Sequence, residues 1–353
     1  MNPTSARHRR GRHAALATLL AAAMALTACS TTKPTSAGAG KSYCAGRTVT
    51  FLAPDDPGGN SDLQMRVVAP TISKILGCTI HVTDSPQGDT VVGQDLVAHA
   101  KADGLTVGYL QVSKDVYNEG IGKKTIDFKA DSVEYLASTQ GTPNVVIAAP
   151  GSPYKTFQDI INSPTPVKIL STGGSGAMTM TMLLAAYGKK ANLVSGYSSS
   201  ADLVQGFLRG DGPVTNSALS AFATIITDGK ARPILMDASP PPGPLADRLR
   251  NVQVYSDMLK QNPPTSASGD QLMRTLVNYR AAPSDWYFVP EGTPKDTVDQ
   301  LRNAFGKALQ DKDVQRKLAA LAVDGYVPGT EGLKYIKQME AIVPDIQKYS
   351  SGS

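Results

Sequence analysis

The stretch APDDPGGNSDLQMR, residues 53–66, sets two opposed chemistries side by side. Gly58 and Gly59 fall between a strand-like and a helix-like segment. Glycines there let a ligand touch bare backbone N–H groups, and the positive end of the following helix favours an anion. Asp55 and Asp56 stand just before them and would repel that anion. Two carboxylates about 4 Å apart, in an effective dielectric near 20, repel by roughly 4 kcal/mol. Strand alternation sends the two side chains in different directions, so at most one of them faces a ligand. A ligand hydroxyl, an amine or a bridging metal ion would remove the conflict.

Catalytic constellations are scarce. Ser152 and Lys155 in SPYK match the S-x-x-K of penicillin-recognising acyl enzymes, but the chain has no K-T-G triplet to go with them. Beyond the first residues the histidines are His81 and His99, one in a strand-like and one in a helix-like segment, neither in a recognisable catalytic setting. No Cys/His cluster has zinc spacing. The GKS at 40–42 is not a P-loop, because the position five before Gly40 is Thr35 rather than glycine. The expectation is therefore binding without chemistry: no catalytic residue, no metal and no cofactor.

The N-terminus reads as an export signal. Arg7, Arg9, Arg10 and Arg12 precede an uncharged apolar run from Ala14 to Leu26. That run falls well short of the roughly 20 residues a membrane span needs and fits a signal h-region. It ends in LTACS, which resembles the bacterial lipobox, with Cys29 as the lipidated residue. Residues 1–28 are then the signal, and 29–45, rich in Ser, Thr, Gly and Pro, a flexible tether. The net charge of +5 loses four arginines with the signal and falls to about +1. Such a balance gives no basic surface for nucleic acid. Cys44 and Cys78 remain, an even pair in an exported chain, and a disulfide between them is expected.

The elements that must position these residues alternate between strand and helix. Strands are expected over 48–54, 78–84 and 105–111, with helices over 61–76 and 90–102 between them. This βαβαβ order implies a parallel sheet with helices on both faces. A second set follows: strands over 143–150, 167–173 and 232–238, with a helix over about 178–187. A strand and turn over 285–294 lead into amphipathic helices over 295–321. The length and the two βα sets favour two α/β lobes, with 46–144 in the first, 145–239 in the second and 240–353 returning to the first with the C-terminal helices. In such a doubly wound sheet the first two strands are parallel neighbours, which brings Cys44 and Cys78 together.

Five segments together resemble the TctC/Bug family, the solute receptors of tripartite tricarboxylate transporters. PGGNSDLQMR is similar to the family's PGG-x-x-D-x-x-x-R, with Pro57, Gly58, Gly59, Asp62 and Arg66 in place. KADGLTVGYL keeps Asp103, Gly104 and Thr106 of its P-D-G-Y-T. GSPYKTFQDI keeps Ser152, Pro153, Lys155, Thr156 and Asp159 of S-P-x-K-T-x-x-D. SDWYFVPEGTP keeps Trp286, Pro290, Gly292, Thr293 and Pro294. The fifth, STGGSGAMTM (171–180), is similar to a G-x-G-S/T-x-x-H-L that holds a carboxylate, through Gly174, Ser175 and Gly176, with Ala177 and Met180 departing. Tyr197 fits the family's V-P-Y-x-G, while Ser195 and Ser199 depart. PQGDT (86–90) has lost glycines of P-G-A-G-G and gained Asp89. Asp55 and Asp56 stand where the family has apolar residues or proline.

The resemblance implies a type II periplasmic-binding-protein-like fold, two α/β lobes with a ligand cleft between them. The ligand-binding set it implies is Asp55, Asp56, Pro57, Gly58, Gly59, Asn60, Ser61 and Asp62 in the first loop, Gly174, Ser175, Gly176 and Ala177 in the second, and Tyr197. The implied partners are a small carboxylated solute, the membrane permease subunits of a tripartite tricarboxylate-type transporter, and the membrane through the lipid anchor, with the receptor a monomer on the outer face of the cell membrane. Asp55 and Asp56 imply that the solute is not a plain dicarboxylate: it presents one acid group to the Gly174–Gly176 loop and a donor or neutral group to one of the aspartates. The alternatives are a secreted enzyme acting on a carboxylated or cell-wall substrate, and a ligand sensor for a signalling partner.

Overall fold

The computed structural model describes residues 42–350 except 89, 198, 241–244 and 322. Cys29, the signal segment, most of the tether and Asp89 lie outside the described residues.

The chain forms two sheets, entered in turn. The first receives β1 (Thr48–Ala53), α1 (Asn60–Leu76), β2 (Thr79–Asp84), α2 (Val91–Ala98), β3 (Thr106–Gln111), α3 (Val112–Gly120) and β4 (Val133–Gln140). The chain then crosses to β5 (Asn144–Ala148), α4 (Phe157–Ile161), β6 (Lys168–Leu170), α5 (Gly174–Ala186), β7 (Asn192–Val194), α6 (Ser200–Arg209), β8 (Val214–Ala218), α7 (Leu219–Thr227) and β9 (Arg232–Met236). Three helices follow, α8 (Ala246–Leu249), α9 (Tyr255–Gln261) and α10 (Ala267–Ala281). The chain returns to the first sheet through β10 (Asp285–Pro290), α11 (Lys295–Leu309), α12 (Lys312–Ala320), β11 (Asp324–Pro328), α13 (Gly332–Glu340) and α14 (Val343–Ser350). The strand orders are β11-β4-β10-β3-β1-β2 and β7-β6-β8-β5-β9.

Both sheets are mixed, which corrects the all-parallel expectation. β1, β2 and β3 are parallel, but β10 runs antiparallel between β3 and β4, pairing Asp285 with Gln111. The reason is the route. β3 ends where the second sheet begins, and β10 re-enters from that side, so it must run the opposite way. β5 is likewise antiparallel to both β8 and β9. The expected helix over 178–187 starts earlier, at Gly174, so its N-terminus is the glycine turn itself.

Helix α1 shows why these segments fold as they do. Met65, Val68, Ala69, Ile72 and Leu76 recur at helical spacing and are buried against the sheet. Pro70 sits on the opposite, exposed face, and Gly77 ends the helix in the left-handed region at φ 68°. Phe51, Tyr287 and Phe305 complete this face of the core. On the other face the core around Trp286 and Phe288 continues into the second sheet's layer, because α14 packs on both α3 and α5. Trp286 is fully buried against Tyr135, and its indole N–H donates to Pro283 O at 3.0 Å.

The parallel β1–β2 register, Thr48 beside Thr79, puts Cys44 and Cys78 at the same end of adjacent strands. They form a disulfide with Cα atoms 5.7 Å apart and a sequence separation of 34. A loop of that length is worth about 4 kcal/mol in the chain-entropy picture.

Candidate functional site

The glycine turns meet at one cavity of about 550 Å³. Asp55 and Asn60 reach it from the first turn, and Gly174 and Ser175 from the second. Its remaining walls are Gln111 at the end of β3, Ser113, Lys114, Tyr117 and Asn118 on α3, Lys123, and Asp285 at the start of β10. These are strand ends and helix starts, where open α/β sheets gather ligands. Sequence reasoning missed the second group of residues. The signal was available, since Gln111 closes a strand of a βαβαβ unit and Asp285 opens the returning one.

The first turn is organised by its own carboxylates. Asp55 Oδ2 accepts from Ser61 N at 2.8 Å, Ser61 Oγ at 2.7 Å and Gln111 Nε2 at 2.9 Å. Asp55 thus caps the start of α1, which has no side-chain cap from Gly59. Asp62 Oδ2 accepts from Gly58 N at 2.8 Å and pairs with Arg66, which also reaches Asp84 at 3.2 Å. Gly58 has φ 84°, and a Cβ on Gly59 would come within 2.5 Å of Asp55 Cβ, so both glycines are required by the turn. Asp56, Pro57 and Gly58 are exposed and do not line the cavity, and Gly59, Ser61 and Asp62 support it from behind.

The second turn is different. Helix α5 begins at Gly174, after Gly173 at φ 84°, with no side-chain cap and no acidic residue in its first turn. Asn216, nine-tenths buried on β8, donates to Gly176 O at 3.2 Å and holds the turn from below. The positive end of α5 is thus presented to the cavity without a carboxylate of the protein on it. Ala177 and Tyr197 do not line it. Tyr197 donates to Asp211 Oδ2 at 3.1 Å and would meet a Cβ on Gly206, so it packs behind the second sheet.

Asp285 shares the cavity with Asp55. It is 8 % exposed, and burial pushes its carboxyl up to about 7; the charge of Asp55 acts in the same direction, against Ser284 and Arg280. Behind the wall, Gln94 Oε1 accepts from Gln111 N at 2.8 Å, and Gln94 Nε2 donates to Asp115 Oδ1 at 3.2 Å. The loop before α2 supports this layer at Thr90, whose φ of 80° is a left-handed conformation at a β-branched residue.

The other candidate residues lie elsewhere. Ser152 Oγ donates to Ala149 O at 2.7 Å, and His99 pairs with Asp127 on the surface at 2.7 Å. Neither residue lines the cavity, nor does His81. Thr156 and Asp159 of the KTFQD segment form a reciprocal cap that starts α4. Among the described residues no group of three His, Cys, Asp or Glu side chains is arranged to hold a metal ion, and no described helix is long and apolar enough to cross a membrane.

Comparison with known proteins gives this architecture a context. The model of the TctC family, described as Tripartite tricarboxylate transporter family receptor, matches residues 64–234. A UPF0065 protein of Pseudomonas sp. strain P51, from the tcbD–tcbE intergenic region, is 25 % identical over 288 residues, which are 78 % of this chain and 78 % of that protein. Among solved structures, a TctC solute binding protein from Polaromonas without ligand superimposes with a TM-score of 0.68 at 15 % identity, over 85 % of this chain and 98 % of that one. The R. palustris protein Rpa4515 with adipate does so with a TM-score of 0.60 at 17 % identity, over 86 % and 97 %. Across residues 64–234 the chain is similar to the TctC family of solute receptors, and it shares the two-lobe fold of these proteins along most of its length.

Proposed function

We propose that this protein is an exported solute receptor, anchored through a lipid on Cys29, that takes up a small carboxylate in the cleft and delivers it to a membrane permease. The observation that supports this reading is the junction of the two glycine turns, one from each sheet, at a single cavity. A solute touching both turns stabilises the arrangement in which the sheets approach, by its differential affinity for that arrangement. Selection there is by backbone N–H groups and amide side chains, with no poised nucleophile–base pair among the lining residues. Rpa4515, which shares the fold, is known with the linear dicarboxylate adipate, in keeping with a small acid as the class of solute.

The test is calorimetric titration with a panel of linear mono- and dicarboxylates, beside a Gly174→Val variant. Gly174 has φ 62°, and a β-branched side chain there both strains the turn and covers the start of α5. Saturable binding of a panel member that Gly174→Val abolishes supports the reading. Binding that survives the substitution, or no binding across the panel, refutes it.

A further inference from the structure

We propose that the cleft selects a solute with a carboxylate at one end and an ammonium group at the other. This rests on the reading of the cavity as the solute site and names the chemistry it takes.

The two helix starts that meet at the cavity are not equivalent. That of α5 carries no acid in its first turn and no side-chain cap, so its positive end is available to a ligand carboxylate. That of α1 is already filled by the protein's own acid, since Asp55 takes three donors on Oδ2. A second ligand carboxylate at α1 would have to displace Asp55 or lie against it. The side of the cavity formed by Asp55 and Asp285 therefore offers acceptors where α5 offers donors. Asp285 strengthens the asymmetry, because it is nine-tenths buried and lines the same space. A buried acid beside a half-buried one gains most from a partner that brings positive charge as well as hydrogens. Above about pH 7, where the raised carboxyl of Asp285 has released its proton, Asp55 and Asp285 are matched in the lining by Lys114 and Lys123, and the four charges sum to zero. A zwitterion preserves that balance and a dianion does not.

The experiment compares acids of equal spacer that differ at one end. The full chain is titrated calorimetrically at pH 7.5 with 5-aminopentanoate, 5-hydroxypentanoate and adipate, then with 4-aminobutyrate and glutarate. The aminocarboxylate of the better-fitting length is expected to bind at least tenfold tighter than its dicarboxylate. Asp55→Asn, which keeps an acceptor oxygen for Ser61, should cut that preference to less than threefold. If its thermal melt shows Asp55→Asn unfolded, Asp285→Asn reads the same loss without touching the cap of α1. A dicarboxylate that binds as tightly as its amine counterpart overturns the inference while leaving the receptor reading intact. A hydroxy acid within twofold of the aminocarboxylate shows that a neutral donor suffices and overturns the ammonium assignment. An unchanged preference in both variants also overturns it. Failure of every probe refutes the receptor reading itself.

Discussion

Both passages between the two sheets are held by one carboxylate, and removing it should cost a large share of the protein's stability. Asp237 follows β9, where the chain leaves the second sheet; Asn144 opens β5, where it enters; Arg280 lies in the last turn of α10, just before the return. Asp237 accepts from Asn144 N at 2.9 Å, from Asn144 Nδ2 at 3.0 Å and from Arg280 Nε at 2.7 Å, with a second Arg280 nitrogen at 2.6 Å. The side chains are 2 % and 17 % exposed, so water does little to screen the pair. Asp237→Ala leaves the Arg280 guanidinium buried without its anion and should cost about 3–5 kcal/mol. Arg280→Met in the same background removes the stranded charge and fills its volume. The double variant should recover at least about 2 kcal/mol of that loss. Urea denaturation of the wild type, both single variants and the double variant measures this coupling, provided the slope of the transition is unchanged. A loss below about 1 kcal/mol for Asp237→Ala, or strict additivity in the double variant, would refute the clamp.

Two further outcomes follow from particular residues. Burial raises the Asp115 carboxyl to about 7, with Gln94 and Lys114 opposing and Asp95 and Asp285 reinforcing. The folded state then holds a proton that the unfolded chain has released, so this group's contribution is full below about pH 4 and is lost as pH rises toward 7. Asp115→Asn should accordingly gain up to about 4 kcal/mol over the wild type at pH 8 and little at pH 4, in urea melts at both pH values; an equal effect at the two would refute it. The lipid anchor is tested by metabolic labelling with a palmitate analogue. Label on the wild-type protein should vanish in Cys29→Ser, and an unlabelled wild type sinks the lipobox reading.

The alternation of strand and helix was legible because buried spacing survives in the residue string, as Met65, Val68, Ile72 and Leu76 on α1 show. The antiparallel insertion of β10 was not, because DWYFVP is buried at every position and carries no direction of its own. Its orientation comes from where the chain re-enters the sheet, which is a property of the route. The family-like motifs were legible for a related reason: most of them build turns. Asp103 accepts from Leu105 N at 3.0 Å, Thr293 Oγ1 donates to Pro290 O at 2.8 Å, and Thr156 with Asp159 starts α4. Turn chemistry is local, so it can be read in a few consecutive residues. A cavity wall is not local, and Gln111, Asn118 and Asp285 meet only after β10 has paired with β3.

Asp55 joins the two kinds of information. Read along the chain, it is an acid placed where it should repel an anion. In the fold it is the group that Ser61 at the start of α1 holds, its backbone N–H at 2.8 Å and its hydroxyl at 2.7 Å. Its departure from the family's apolar residue is therefore a change of occupant at the first helix start rather than a local blemish. The protein supplies one of the two acids that a linear dicarboxylate would bring to a pair of helix starts. On the proposed reading of the cavity, the solute then supplies a single carboxylate for α5 and, at its other end, an ammonium group for Asp55.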